Sequence, residues 1–122
     1  MIYTDDCSDA MIKAIKEKTG QDIVKRLDDK TWNVNDALII IADPSLKLAI
    51  INSIDEISLM EIGLLSLLCK PILVTDKSVR EYKAVMNTVN WIDTNCNIKD
   101  QQNNFIMWYK YTFGDGTDEK NI

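Results

Sequence analysis

Histidine is absent from this chain of 122 residues. Its absence excludes Ser-His-Asp and Cys-His catalytic pairs and any zinc site built on imidazole. Acid–base or nucleophilic chemistry therefore falls to carboxylates, Lys, Tyr, Ser or Cys. Arginine is scarce too, with Arg26 and Arg80 as its two occurrences, so the sequence offers no cluster of arginines for a polyphosphate.

Cysteine, glycine and positive charge are also in short supply. The three cysteines, Cys7, Cys69 and Cys96, form no C-x-x-C pair, which argues against a four-cysteine metal site or a disulfide framework. Four glycines, without a G-x-G-x-x-G or Walker A motif, make a glycine-rich phosphate cradle unexpected. We predict no metal and no cofactor. The formal net charge of −5 argues against a nucleic-acid polymer as a partner.

Long apolar runs are missing as well. The longest fall far below the roughly 20 residues that span a bilayer, and the first residues do not have the form of a signal peptide. We therefore expect no membrane association and a cytoplasmic location. With 46% hydrophobic residues, a chain of this length suits one globular domain. We assign residues 1–113 to that domain and 114–122 to a polar tail.

Strands alternate with helices along the sequence. Four segments are predicted as strands: 2–4, 36–43, 72–75 and 91–92. Four are predicted as helices: 8–19, 56–69, 78–86 and 99–111. Residues 21–32 are predicted as a weaker helix, and the apolar 44–55 as a connection that covers the sheet or meets another chain. Segment 36–43 is continuously apolar, which favours a strand covered on both faces.

This alternation predicts an α/β fold with three layers. We expect a flavodoxin-like or Rossmann-like parallel sheet with helices on both faces. In such sheets ligands bind at the carboxyl ends of the strands.

Glu61 points most directly to chemistry. It is the only charged side chain between Ile57 and Cys69, in an apolar helix for which Ser53-Ile54-Asp55-Glu56 has the form of a capping box. A buried carboxylate needs a partner or a ligand, because alone it is costly. Glu61 is equally compatible with a narrow polar stripe shared with Ser58. Gly63 would be tolerated in this helix where something packs closely against it.

Three further positions each have two interpretations. Asp55 is either an ordinary first-turn acid that complements the helix dipole or a partner of Glu61 in one pocket. Asp28 is either a solvated residue beside Asp29 or a ligand contact. Asn87 is either a helix cap or a ligand contact.

These residues, taken together, resemble the signature of nucleoside 2-deoxyribosyltransferases. The resemblance rests on matching segments in matching order: Asp28, Asn35-Asp36, Asp55, Glu61-Ile62-Gly63, Lys70-Pro71 and Asn87-x-Val89-x-Trp91. It covers residues 28–92. The family's Gly-rich turn after the first strand is replaced here by Thr4-Asp5-Asp6-Cys7-Ser8.

The resemblance implies an enzyme that transfers 2-deoxyribose between nucleobases. Glu61 would attack the anomeric carbon of a deoxynucleoside and form a covalent glycosyl ester. Asp55 and Asp28 would bind or protonate the departing base. The implied partners are a deoxynucleoside and a free nucleobase.

A complete site would need other parts of the chain. Tyr3 or Asp6, at the end of the first strand, would orient the nucleophile. The resemblance implies that Asn87 comes from a neighbouring subunit and holds the sugar. We therefore expect a homo-oligomer with shared active sites, for which the apolar segment 46–51 is a candidate contact.

Other functions stay open. One is an N-glycosidase that hydrolyses nucleosides or their monophosphates, although Asp55 would repel a 5′-phosphate. The others are a non-catalytic nucleotide-binding or sensing module and an interaction domain of this fold.

Overall fold

The computed structural model describes residues 1–5, 9–26, 28–91, 106–107, 109–110 and 112–113. The strands are β1 (Ile2–Thr4), β2 (Ile23–Lys25), β3 (Leu48–Ile51), β4 (Ile72–Val74) and β5 (Asn90–Trp91). The helices are α1 (Asp9–Thr19), α2 (Val34–Ile41), α3 (Glu56–Leu67), a 3-10 helix (Lys77–Glu81) and α4 (Lys83–Met86).

The five strands form one parallel sheet in the order β2-β1-β3-β4-β5. This is the strand order of flavodoxin-like folds. The chain first moves across the sheet from β1 to β2 and then in the opposite direction, from β1 to β3 and beyond. The register places Thr4 opposite both Lys25 and Ile50. The residues that follow β1, β2 and β3 therefore meet at one edge of the sheet.

Side chains from the two faces of the sheet belong to separate apolar layers. One layer joins the sheet to α1 and to helical residues near the C-terminus: Ile2, Leu48, Ile50, Leu73, Ile15 and Tyr109. The other joins it to α2 and α3: Tyr3, Ala49, Ile51, Ile72, Val74, Ala37, Ile41, Ile62 and Leu65. Helices thus cover both faces, which confirms the predicted three-layer α/β fold.

Most predicted elements are confirmed near their expected bounds. The strands at 2–4 and 72–75 and the helices at 8–19 and 56–69 all form. Segment 78–86 is divided between the 3-10 helix and α4, and β5 forms one residue early, with Ile92 outside the described residues. The helix predicted at 99–111 is helical at 106–107 and 109–110. Its remaining residues and the predicted tail, 114–122, also lie outside them.

The prediction of a strand at 36–43 is wrong, because residues 34–41 form helix α2. Asn33 caps this helix by accepting a hydrogen bond from the backbone N–H of Asp36, at 2.9 Å. Burial follows a helical spacing, since Ala37 and Ile41 are buried whereas Ile39 is 72% exposed. A short, continuously apolar run fits a strand or a helix equally well, and the cap decides here.

Two neighbouring predictions are also wrong, because both segments contain a strand of the sheet. Residues 21–32 do not continue as a helix, because 23–25 form β2 and pair with β1. The connection predicted at 44–55 contains β3, an interior strand with all four residues buried. Segment 46–51 is therefore not a surface contact for another chain. Strand pairing across the sheet supplied the hydrogen bonds that local sequence patterns do not show.

Helix α3 begins at Glu56 as predicted, but its N-terminal cap differs from the predicted one and it ends two residues earlier. Its N-cap is Asp55, which accepts a hydrogen bond from the backbone N–H of Ser58 at 2.7 Å, so the capping box beginning at Ser53 does not form. At the other end, Cys69 has φ +57° and Lys70 N–H reaches the Leu65 carbonyl at 2.9 Å, which closes a Schellman motif.

No helix in the described part of the chain is long and apolar enough to cross a membrane.

Candidate functional site

A cavity of about 580 Å³ opens at the carboxyl edge of the sheet. It is lined by residues that follow β1, β2 and β3: Asp5, Arg26, Asp28, Asp29, Lys30, Ser53 and Asp55. Four of these are acidic and two are basic. The cavity lies where β1 and β3 diverge in sequence order, the usual ligand position in this fold.

The loop between β3 and α3 is held from both sides. Asp5 accepts hydrogen bonds from the backbone N–H groups of Asn52 and Ser53, at 2.8 and 3.0 Å. Asp76, after β4, accepts one from Ile54 N–H at 3.0 Å. Neighbouring strands thus fix the loop that presents Asp55 and aims the first turn of α3.

Asp55 serves as both helix cap and cavity wall. Its side chain remains 47% exposed, and its Oδ2 lies 3.6 Å from Arg26 Nη1. Partial burial acts to raise its pKa, but the hydrogen bonds from Ser58 and the charge of Arg26 outweigh it, so the pKa lies below its usual value. Asp55 is therefore an acceptor rather than a proton donor near neutral pH.

Glu61 lies six residues further along α3, nearly two turns, and is 0% exposed. Its Oε2 accepts a hydrogen bond from the Tyr3 hydroxyl, and its Oε1 accepts one from Arg26 Nη2. The carboxylate therefore has a neutral donor on one oxygen and a cation on the other. It does not line the cavity but contacts it through Arg26.

Arg26 connects the buried carboxylate to the cavity. Its side chain is 6% exposed, and it lines the cavity from the end of β2. Besides the bond to Glu61, Nη2 donates a hydrogen bond to Ser58 Oγ at 2.8 Å. Ser58 in turn donates to the Ser53 carbonyl at 2.6 Å. The polar stripe of Ser58 and Glu61 therefore exists, and it faces Arg26.

Burial shifts the pKa values of Glu61 and Tyr3. Desolvation raises the pKa of Glu61 above its ordinary value, although Arg26 and Tyr3 both act to lower it. Burial and the adjacent carboxylate raise the pKa of Tyr3, which keeps its phenol protonated as a donor. When Glu61 is ionised, its carboxylate is consequently more basic than an exposed one.

The structure brings four of the six predicted site residues together and leaves Asn87 apart. Asp28 and Asp55 line the same cavity, and Glu61 contacts it through Arg26. Asn87, at the C-terminal end of α4, is exposed and does not line that cavity. Tyr3 contacts Glu61 as expected, whereas Asp6 lies outside the described residues.

Sequence reasoning missed Arg26 and Asp5. Both directly follow short strands, but the sequence predicts a helix over residues 21–32, and this prediction does not bring Arg26 to the sheet edge. Correct assignment of β2 would have put a lone arginine beside the predicted acidic site. Asp5 directly follows the correctly predicted β1, a position that by itself favours the site edge.

Gly63 does not mark a close approach within one chain. A Cβ built at this position meets nothing within 4 Å. The residue is exposed on the side of α3 that points away from the sheet.

Among the described residues, no group of three or more His, Cys, Asp or Glu side chains is placed to hold a metal ion. Comparisons with protein-family models, curated proteins and solved structures gave no match.

Proposed function

We propose that this protein cleaves the N-glycosidic bond of 2-deoxynucleosides and transfers the 2-deoxyribosyl group to a second nucleobase. The observation that carries the proposal is the buried Glu61, held by Tyr3 and by Arg26, which itself lines a cavity with four acidic and two basic side chains. A buried, oriented carboxylate with a raised pKa suits a nucleophile.

The reaction proceeds in two displacements at the anomeric carbon. In the first, Glu61 forms a C–O bond as the C–N bond breaks, and the base leaves with the electron pair and takes up a proton from solvent. In the second, a nitrogen of the incoming base forms a new C–N bond and releases the Glu61 carboxylate. Configuration is retained because two inversions occur at one carbon.

The carboxylates on the cavity wall bind the base. Asp55, with its lowered pKa, accepts a hydrogen bond from a base N–H and takes the proton that an incoming base loses. Asp28, on the opposite loop, is anchored by Lys30 N–H at 2.9 Å and offers a second acceptor. With four acidic and two basic side chains the cavity wall has a net negative charge, which favours nucleosides over nucleotides.

Tyr3 orients the nucleophile in this mechanism. Its hydroxyl fixes one carboxylate oxygen, which leaves the other as the attacking atom once Arg26 has moved. No imidazole is required at any step.

Asn87 is proposed to reach the site from a second subunit. Its position away from the cavity of its own chain is compatible with that role. Mixing inactive Glu61→Gln protein with inactive Asn87→Ala protein tests it, because hybrid sites would contain both intact residues. Recovery of activity on mixing supports shared sites in a homo-oligomer, and a monomer by light scattering rules them out.

A non-catalytic ligand-binding module is the second candidate. The observation that favours it is the complete burial of Glu61, whose two oxygens are already paired. In that case the carboxylate would hold Arg26 in the cavity wall, and Arg26 with the acidic residues would recognise the ligand.

One assay separates these candidates. The protein is incubated with a 2-deoxynucleoside and a different free base, and the products are separated by chromatography. A new deoxynucleoside supports transfer, whereas free base and free sugar alone indicate an N-glycosidase. Binding by calorimetry without turnover indicates the binding module.

Glu61→Gln tests the nucleophile within that assay. The amide keeps the shape and an acceptor oxygen, so we expect the folded protein with turnover reduced to background. Glu56→Gln is the matched control, since Glu56 is an exposed glutamate in the first turn of the same helix. Retention of transfer in Glu61→Gln would refute the assignment of the nucleophile.

A further inference from the structure

We propose that Arg26 is a positioning residue that orients and covers the Glu61 carboxylate in the empty site and is displaced when substrate enters. This inference rests on the proposed function and adds a residue that neither the resemblance nor the sequence pattern supplied.

The contacts of Arg26 are the first support. One nitrogen, Nη2, bonds to both Glu61 and Ser58, while Nη1 lies 3.6 Å from Asp55. The guanidinium therefore ties together two carboxylates on the same helix, one buried and one open to solvent. A planar fork suits this arrangement better than a single ammonium group.

The burial pattern is the second support. Glu61 is fully buried and does not line the cavity, whereas Arg26, which donates a hydrogen bond to it, does. An anomeric carbon can contact Glu61 only after the guanidinium moves. Asp55, on the cavity side, is close enough to receive it without loss of a charged partner.

An unsatisfied donor is the third support. Among the described residues, the buried Nε of Arg26 has no hydrogen-bond partner. Leaving a buried donor unpaired is unfavourable, so the side chain is held in place by its Nη contacts and not by optimal bonding of the whole group. Such a side chain is ready to exchange partners.

The charges around Glu61 define what removal of Arg26 should do. The carboxylate is acted on by Tyr3 from β1, Asp5 after β1 and Arg26 after β2, and Asp55 at the start of α3 lies beside Arg26. Arg26 is the only cation in this set. Its loss leaves acidic and neutral neighbours, so Glu61 should hold its proton to higher pH.

The test compares Arg26→Gln and Arg26→Lys with Arg80→Gln, which removes the other, exposed arginine as a matched control. Values of kcat and KM are measured from pH 5 to pH 9. For Arg26→Gln we expect the acidic limb of kcat to move up by at least one pH unit, with KM changed less than threefold. In Arg26→Lys the acidic limb should return to within half a pH unit of its position in the unchanged protein, but kcat should stay at least fivefold below the value of the unchanged protein. Arg80→Gln should match the unchanged protein.

A readout without turnover separates this inference from the proposed function. In protein labelled with ¹³C at glutamate carboxyl groups, the Glu61 signal is assigned by its loss in Glu61→Gln and titrated by NMR from pH 5. Its midpoint should rise by at least one unit in Arg26→Gln and stay unchanged in Arg80→Gln.

The outcomes distinguish the two claims. If the unchanged protein turns over no deoxynucleoside, the proposed function fails, while the titration still decides whether Arg26 controls Glu61. An unshifted limb or midpoint in Arg26→Gln overturns the inference. If Arg26→Gln does not fold, Arg26→Lys decides, since full kcat or a midpoint raised by one unit in that variant overturns it.

Discussion

The two sides of α3 differ in a way that reverses the usual amphipathic pattern. The side towards the sheet carries four buried residues: Ser58, Glu61, Ile62 and Leu65. The side towards solvent carries Met60, Gly63 and Leu67, with Leu67 78% exposed. The one charged residue in the body of the helix is thus buried, while large apolar side chains are exposed. An exposed charge needs no explanation, whereas a buried one requires partners, and those partners define the site.

Arg26→Gln should have the largest effect on stability, because it leaves the Glu61 carboxylate buried without its cation. We expect the free energy of unfolding to fall by about 3 kcal/mol at pH 7. Glu61 has a raised pKa in the folded protein, so its stabilising contribution is full below the unfolded-state pKa and is lost as pH rises. Removal of Arg26 raises that pKa further, so the deficit should shrink towards pH 5. Urea denaturation at both pH values measures it, and equal losses would contradict the pairing.

Tyr3→Phe should have the next largest effect on the buried side. The substitution keeps the ring but removes the hydroxyl that bonds to Glu61, which should lower the free energy of unfolding by about 1–2 kcal/mol. Tyr82→Phe is the matched control, since Tyr82 is exposed and should change stability little. Thermal or urea unfolding of the two variants measures the difference. Equal effects would show that the Tyr3 hydroxyl contributes nothing.

Two substitutions of Asp55 separate the contribution of its helix cap from that of its negative charge. Asp55→Ala removes the cap and should cost about 1 kcal/mol, whereas Asp55→Asn keeps a good cap and should cost only about 0.3 kcal/mol. In the transfer assay both variants should be impaired, because both lose the carboxylate that binds the base. Normal activity in Asp55→Asn would show that Asp55 acts only as a cap.

Gly63→Ala tests the exposed side and should have the smallest effect, opposite in sign. A Cβ there meets nothing within 4 Å, and alanine is favoured over glycine inside a helix, so stability should rise by about 0.5–1 kcal/mol. Urea unfolding at several protein concentrations measures it. A loss of stability that depends on concentration would show that a second copy packs against this side.

Local sequence patterns predicted the fold class and most of its elements. Alternating apolar segments, the apolar body of α3 and the strand after Lys70-Pro71 were sufficient for the parallel three-layer arrangement. The prediction failed between residues 21 and 55, where β2 and β3 are short and α2 is apolar enough to be taken for a strand. Pairing with neighbouring strands selected the conformation of β2 and β3, whereas the Asn33 cap decided in favour of helix α2.

The candidate site was predicted in part. Glu61 was singled out because a lone charge in an apolar helix is conspicuous in sequence. Arg26 was not, because an isolated arginine near a loop carries no periodic signal. Its importance follows from the sheet, which brings the end of β2 against the first turns of α3.

The sequence by itself determined the kind of chemistry that is possible here. It contains no histidine, so carboxylates are the main reactive groups, and it places one of them within an apolar helix. Only the tertiary structure decided that this carboxylate is buried, paired with Tyr3 and Arg26, and connected through Arg26 to a cavity. The reason is physical: composition and helical spacing are local properties, whereas desolvation and ion pairing depend on residues from separate strands that meet only after folding.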